Sequence, residues 1–401
     1  MQCPDSNGAN IRFFQWFAMM ETQQNTYSRI AIRIFAALWL LMTGLTGPAF
    51  AAELYSIKGI SVDKTAASAS EARVLAVADG QRRAFAALLR KLTPKSYHAD
   101  LPTVSDSELS ELVSAFLVRN EKTSAQRYLA DLTVEFKRDL IIPILQARDI
   151  PYSESVSKPI LVLPIFEKDG IKYLWDEPNP WRDAWVEVFD GGKGPEGNIK
   201  RQDDWAQDPL LPVIVPSGTL EDMKAITVED AILMREIPIA AMSEMYGARA
   251  VLVAYASIQN EDGVRRLDIS YQRSDLFSAA VVESFTGGDT DRDIFRAAIF
   301  DVVENLQESW KDQNILDRNI ENKLAVSTSI SSLKEWIDIQ NKTRSIPAVE
   351  KITVREMTVE KVFWEISFVG DLRQLRNAFA QKNLLLDNEE GYWTLNNRTD
   401  E

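Results

Sequence analysis

Short strand patterns alternate with helical patterns from residue 54 to residue 397, and this alternation constrains the fold more than any other feature of the sequence. Period-two alternation of apolar residues is typical of half-buried strands, whereas apolar spacings of three and four are typical of helices. We therefore predict an α+β or α/β protein. The chain has 401 residues, more than one core usually serves, so two or three domains are expected.

The first predicted module covers residues 52–152 and has the order β-α-α-β-α. Its long first helix carries a stripe of alanines, which permits close packing on a sheet or on another helix. The strands are predicted over 54–62 and 128–136, and the helices over 66–92, 106–118 and 140–147.

The second predicted module covers residues 158–315 and is a mixed α/β sandwich. Its first strand is apolar almost throughout, as strands buried on both faces are. Strands are predicted over 160–166, 170–175, 211–215, 250–257, 265–273 and 279–286, and helices from Asn179-Pro180 and over 219–223, 228–232, 238–246 and 291–312.

The third predicted module covers residues 322–398 and has the order β-α-β-β-α-β, closed by a hairpin. This order is the ferredoxin-like arrangement. It recurs in many docking modules and predicts no chemistry by itself.

The N-terminal region has the three parts of a secretory leader. Arg29 and Arg33 supply positive charge, residues 35–45 are apolar, and residues 49–51 have the small-x-small pattern that signal peptidase accepts. The alternative, a membrane anchor, needs about 20 apolar residues. We therefore predict cleavage after residue 51 and a periplasmic protein. A leader of ordinary length would begin at Met19 or Met20. This suggests that translation starts there and that residues 1–18 are not part of the natural protein.

Composition excludes several classes of site. The single cysteine, Cys3, belongs to the leader, which leaves the exported chain without disulfides, thiolate metal sites or a cysteine nucleophile. One histidine, His98, is too few for a histidine-rich zinc site. The net charge of −14 argues against nucleic acid and anionic lipid as partners. We predict no metal, no cofactor and no catalytic residue.

Two weak catalytic hypotheses remain open. His98 is the only possible base of a Ser-His-Asp triad, but it lies in a loop pattern, where a solvated histidine is expected instead. The acid pairs Asp176/Glu177 and Asp183/Glu187 are residue types that cleave glycosides, but an acidic surface produces such pairs by chance.

The best candidate binding segment is the tryptophan-rich stretch at 174–185. Its tryptophans, beside acids and an arginine, could stack on sugar rings or anchor a partner loop. Alternatively, the prolines fix a structural turn and the tryptophans at helical spacing pack into the core. The candidate residues are Trp175, Asp176, Glu177, Asn179, Trp181, Arg182 and Trp185.

The chain resembles the proteobacterial envelope proteins grouped as domain of unknown function family 2066. The resemblance covers most of the chain after the leader, and its most specific element is the 174–185 segment. The family has no assigned activity, so the resemblance implies a location rather than a mechanism. The other matching segments are 59–63, 72–73, 80–85, 128–136 and 161–164.

More loosely, residues 158–312 look like the α/β domain of TolB-type N-terminal modules and of outer-membrane assembly lipoproteins. The shared features are a strand that contains Val162-Leu163-Pro164, a helix ending at Tyr246-Gly247-Ala248, an apolar strand over 250–256 and a long helix near Trp310. Those modules bind other envelope proteins and are usually lipid-anchored, whereas in this chain no cysteine follows the apolar part of the leader to be acylated.

Two functions remain in view. The first is a non-enzymatic periplasmic scaffold or adaptor that binds envelope proteins. The second is a peptidoglycan- or carbohydrate-binding module, with weak hydrolysis by carboxylates as its furthest extension. Neither the partner nor the oligomeric state follows from the sequence.

Overall fold

A computed structural model describes residues 54–189, 209–261, 264–276, 278–318, 320–389 and 391–398. The predicted leader, 1–51, lies outside these residues. Across them the protein is mixed α/β, with three separate sheets. Within the same residues, no helix combines the length and apolar character that crossing a membrane requires.

The N-terminal region has a three-stranded antiparallel sheet in the order β1-β3-β2, covered on one face by a long helix. Gly80 permits the close packing of that helix, since a Cβ there would lie 2.4 Å from Leu132 Cδ1 and 2.9 Å from Val62 Cγ1. The elements are β1 (Ser56–Thr65), α1 (Ala69–Leu92), a 3₁₀ turn (Lys95–Asp100), α2 (Asp106–Leu112), β2 (Val113–Thr123), β3 (Arg127–Phe136) and α3 (Arg138–Gln146).

The predicted helix over 106–118 is wrong beyond Leu112, where the chain turns into β2. A capping box of Ser105 and Glu108 starts the helix as expected, but it lasts only seven residues. Residues 113–118 have apolar spacings that suit a helix or a strand, and pairing with β3 selects the strand. The sheet therefore has a third strand, and the order is β-α-α-β-β-α.

The central region has a six-stranded sheet in the order β5-β4-β7-β8-β9, with β6 also paired to β4. Strand β4 runs parallel to β6 and β7, and the other pairs are antiparallel. The elements are β4 (Ile160–Lys168), β5 (Ile171–Tyr173), α4 (Pro180–Phe189), β6 (Val213–Ile214), α5 (Leu220–Ala225), α6 (Val228–Ile232), α7 (Glu236–Met245), β7 (Ala250–Glu261), β8 (Val264–Arg273), β9 (Val281–Thr286) and α8 (Asp291–Asn314).

Both faces of the central sheet are covered. Helices α4 and α8 pack on one face, in a cluster that continues into the N-terminal region. Helices α5, α6 and α7 pack on the other face, where Leu161, Leu163 and Val251 are fully buried. Burial on both faces explains why β4 is apolar up to Phe166 and β7 is apolar up to Ala256.

The C-terminal region has a five-stranded mixed sheet in the order β11-β12-β10-β14-β13. Helices α9 and α10 cover one face and enclose a separate core. The final strand, β14, runs parallel to its neighbour β10, and its hairpin partner β13 forms the edge. The elements are β10 (Glu321–Ser329), α9 (Leu333–Arg344), β11 (Val349–Met357), β12 (Lys361–Val369), α10 (Leu372–Gln381), β13 (Leu384–Glu389) and β14 (Tyr392–Asn397).

Polar contacts join the regions. The buried carboxylate of Glu154 accepts hydrogen bonds from Tyr55 Oη at 2.6 Å and Arg138 Nε at 2.6 Å, and it lies 3.3 Å from Arg318 Nη2. Gln374 Nε2 donates to the Ile315 carbonyl at 2.8 Å, which ties α10 to the end of α8.

Candidate functional site

Trp181 and Trp185, at the centre of the predicted binding segment, lie inside the core. Both are fully buried on α4, with ring centroids 5.6 Å apart and ring planes at 84°. Phe295 of α8 packs 5.6 Å from Trp181, and Phe189 stacks 5.8 Å from Trp185. The protein therefore covers the ring faces that stacking on a ligand would use.

The same segment completes hydrogen bonding around a proline in the central sheet. Pro164 of β4 lies in register with Ala254 of β7, and proline has no N–H to give to the ladder. Trp181 Nε1 donates to the Ala254 carbonyl at 2.9 Å, and Asn179 Nδ2 donates to the Pro164 carbonyl at 3.1 Å. Two polar side chains of the segment therefore bond to backbone carbonyls of the sheet at the position of Pro164.

Arg182 and Trp175 form a clip at the surface end of the segment. Arg182 Nη1 donates to the Trp175 carbonyl at 3.0 Å, and its Nη2 pairs with Glu177. Trp175 Nε1 donates to the Ile226 carbonyl at 3.0 Å. Gly218, at a φ of +76°, lets this backbone approach the guanidinium, since a Cβ there would lie 3.1 Å from Nη1. The clip joins the segment to the helices on the other face of the sheet.

The acidic residues of the segment are at the surface. Asp176 and Glu177 are exposed, and Glu187 pairs with Arg292 of α8. Partial burial, followed by the charge of Glu177, raises the pKa of Asp183. Each glutamate is held by an arginine, as in surface ion pairs. Among the described residues, no group of three or more His, Cys, Asp or Glu side chains is arranged to hold a metal ion.

His98 lies where the N-terminal region meets α8, beside a cavity of about 240 Å³. Its Nε2 lies 3.1 Å from the Thr93 carbonyl, which also accepts from Lys311 Nζ at 3.0 Å. Partial burial lowers the pKa of His98 below its ordinary value, and the charges of Lys311 and Arg90 act in the same direction, whereas the hydrogen bond to the Thr93 carbonyl and the charge of Glu308 oppose the shift. The hydrogen bond to the Thr93 carbonyl fixes the orientation of the His98 ring.

Strand β2 presents a feature that the sequence analysis missed, because this stretch was assigned to a helix. It is an edge strand, and Phe116 and Leu117 are 47% and 49% exposed. They pair with Val134 and Thr133 of β3, which places them on opposite faces of the sheet. Register shifts on either side leave 115–119 as a regular stretch between two irregularities.

A second feature that sequence reasoning missed lies on the face of the C-terminal sheet opposite α9 and α10, which no described helix covers. This face holds a cleft of about 980 Å³, which we call the C-terminal cleft. Arg355 Nη2 lies 3.2 Å from Glu365 Oε2, and Lys361 Nζ lies 5.4 Å from the ring centroid of Phe363. The lining that bears on its chemistry is Ser327, Arg355, Lys361, Phe363, Glu365 and Tyr392.

Comparison with protein-family models and with curated proteins found no match for the chain.

Proposed function

We propose that this protein is exported to the periplasm and acts there as a non-enzymatic adaptor, which binds a segment of an envelope protein along the free edge of β2. The observation that carries the proposal is the pair of half-exposed apolar side chains, Phe116 and Leu117, on opposite faces of an edge strand.

Strand addition suits this edge. An added strand would bond to the outer backbone groups of β2, with which no described strand pairs, and its side chains would alternate between the two faces. It would therefore cover Phe116 with one residue and Leu117 with the next. Covering the exposed half of each side chain contributes about 1 kcal/mol.

The irregularities at both ends of the edge limit the partner to a short segment. Charged residues and bulges are devices that keep edge strands from pairing indiscriminately, and Arg119 and Lys122 accompany the second register shift. The regular stretch 115–119 has five residues, which span roughly 17 Å.

The proposal includes the finer organisation predicted from the sequence. We propose three modules at 52–152, 158–315 and 322–398, the last being ferredoxin-like with one additional strand. The leader prediction and the resemblance to envelope proteins support the location. The adaptor role is preferred to sugar binding by the tryptophan segment because Trp181 and Trp185 are covered.

Photo-crosslinking in the native cell tests the binding edge. A photoreactive amino acid placed at Leu117 should give a discrete adduct with another envelope protein. The matched control is Leu385, which is also 49% exposed and lies on edge strand β13. The Phe116→Asp substitution should abolish the adduct at 117. Equal adducts at both positions, or none at 117, would overturn the proposal.

N-terminal sequencing of the natural protein tests the compartment. We expect a periplasmic protein that begins at Ala52. A protein that begins upstream of Phe35, or that fractionates with the cytosol, would show that the leader prediction is wrong.

A further inference from the structure

Helix α7 is apolar on both of its sides, although the protein covers only one of them. Ile239 and Met242 are buried in the core between this helix and the central sheet. On the outer side, Ile237 is 83% exposed, Met245 is 49% exposed, and Ala240 is exposed between them. A helix that is apolar around its whole circumference is typical of one that is covered on all sides.

The two short helices that pack against α7 extend the exposed apolar surface. Tyr246 Oη, at the end of α7, donates to Asp222 of α5 at 2.7 Å, so Met223 and Met245 lie next to the two ends of one hydrogen bond. Large exposed apolar side chains grouped on one surface mark an interaction site, and methionines adapt to the shape of a partner. We call this group the α5–α7 surface, and its members are Leu220, Met223, Leu233, Ile237 and Met245.

The α5–α7 surface is strongly acidic. Residues 220–245 have six acidic and two basic side chains. One of the two bases, Arg235, already pairs with Asp230 at 2.7 Å. The four glutamates of the stretch are exposed, and no salt bridge within the described part of the chain involves any of them; they are Glu221, Glu229, Glu236 and Glu244.

The charges beside the helices do not offset this excess. The two arginines next to them each pair with a carboxylate, Arg182 with Glu177 and Arg249 with Asp275. Adding Lys172, which lies over an aromatic ring of the central sheet, still leaves the surface negative. Such a surface attracts basic partners, and it repels anionic lipid and a second copy of itself.

The backbone of the α5–α7 surface offers nothing to an added strand. Its three helices satisfy their backbone groups internally, and capping boxes at Thr219 and Thr227 close the starts of α5 and α6. A partner must therefore bind through side chains, as an amphipathic helix does when its apolar side lies on an apolar surface. Helix α7 has 10 residues and is roughly 15 Å long, which matches about three turns of a partner helix.

We propose that the α5–α7 surface binds a basic amphipathic helix of another protein, with the apolar side of that helix on Ile237 and Met245 and its lysines or arginines beside the four glutamates. This second binding surface is separate from the edge of β2 and does not depend on binding there.

Peptide selection tests the proposal without assuming a partner. A library of displayed random peptides of about 16 residues, enough for a helix as long as α7, is depleted on the Ile237→Ser variant and then selected on the unsubstituted exported chain. We expect the enriched peptides to have a net positive charge and apolar residues at helical spacings of three and four.

Fluorescence anisotropy with an enriched peptide measures the contribution of each part of the surface. Ile237→Ser and Leu233→Ser should each weaken binding at least about tenfold, since an isoleucine or leucine covered by a partner is worth at least that factor. The matched control is Val359→Ser, because Val359 is 87% exposed in the C-terminal region and should leave the affinity unchanged. The double variant Glu236→Gln, Glu244→Gln should weaken binding and reduce its dependence on salt.

The substituted side chains are exposed, and circular dichroism will confirm that the variants fold. Absence of enriched peptides, enriched peptides that are acidic or lack helical spacing, or an equal loss in Val359→Ser would overturn the proposal. An unchanged affinity in the double glutamine variant would overturn the role of the charges. Vesicle flotation or self-association that Ile237→Ser abolishes would assign the surface to a membrane or to a second copy instead. The crosslinking result at Leu117 is unaffected by any of these outcomes.

Discussion

Substituting phenylalanine for Trp181 and, separately, for Trp185 will show whether the indole of Trp181 supports the central sheet through its hydrogen bond. Both side chains are fully buried on α4, and both substitutions remove the same atoms. They differ in one respect. Trp181 Nε1 donates to the Ala254 carbonyl at 2.9 Å, whereas Trp185 Nε1 is buried without a hydrogen-bond partner among the described residues.

The expected magnitudes follow from that difference. The smaller ring leaves a similar cavity at both sites, which costs roughly 1 kcal/mol. Trp181→Phe also leaves the Ala254 carbonyl, opposite Pro164, without its indole donor, which costs about 2 kcal/mol more. Trp185→Phe removes an unpaired buried N–H, and this offsets part of its cavity cost. We expect losses of about 3 kcal/mol for Trp181→Phe and about 1 kcal/mol or less for Trp185→Phe.

Urea unfolding followed by far-ultraviolet circular dichroism measures both free energies without relying on tryptophan fluorescence, which the substitutions alter. The two variants serve as controls for each other, provided that their urea dependences have equal slopes. Equal losses, or a larger loss for Trp185→Phe, would refute the argument that Trp181 is retained for its bond to the sheet.

Two further predictions concern titratable groups. Because the pKa of His98 is lowered below 6.5, the unfolded chain binds the proton more readily, so the contribution of His98 to stability is present above pH 6.5 and is lost as the pH falls. The urea midpoint should therefore fall less between pH 7.5 and pH 5 in His98→Gln than in the unsubstituted protein. A steeper fall in the variant would contradict this expectation. Glu154→Gln should cost about 2 kcal/mol, since it weakens charge-assisted bonds from Arg138 to a buried carboxylate. Asp63→Asn, in an exposed pair, should cost under about 1 kcal/mol, and equal costs would argue against the role of burial.

The spacing of apolar residues predicted helices and strands correctly where one or both faces of the element are buried. The apolar strand β4, the start of α4 at Asn179-Pro180 and the long helix α8 all occur where periodicity and capping residues place them. The stretch 113–118 failed because its apolar spacings fit both kinds of element, and only the presence of β3 beside it selects the strand.

The sites were harder to predict than the elements. The composition of residues 174–185 suggested a binding site. The burial of Trp181 and Trp185, however, depends on α8 and on the central sheet, which the segment contacts only in the folded protein. The C-terminal cleft could not be predicted because its residues lie on four strands, and none of these four segments carries a recognisable motif.

By itself the sequence determined the class of fold and the identity of most helices and strands, because these depend on residue types and on spacings within one element. Only the tertiary structure decided that Trp181 and Trp185 are core, that Phe116 and Leu117 are half exposed on an edge strand, and that Phe363 and Tyr392 are exposed beside one cleft. Burial and exposure are properties of the surfaces that elements present to one another, and strand register and helix docking decide those surfaces.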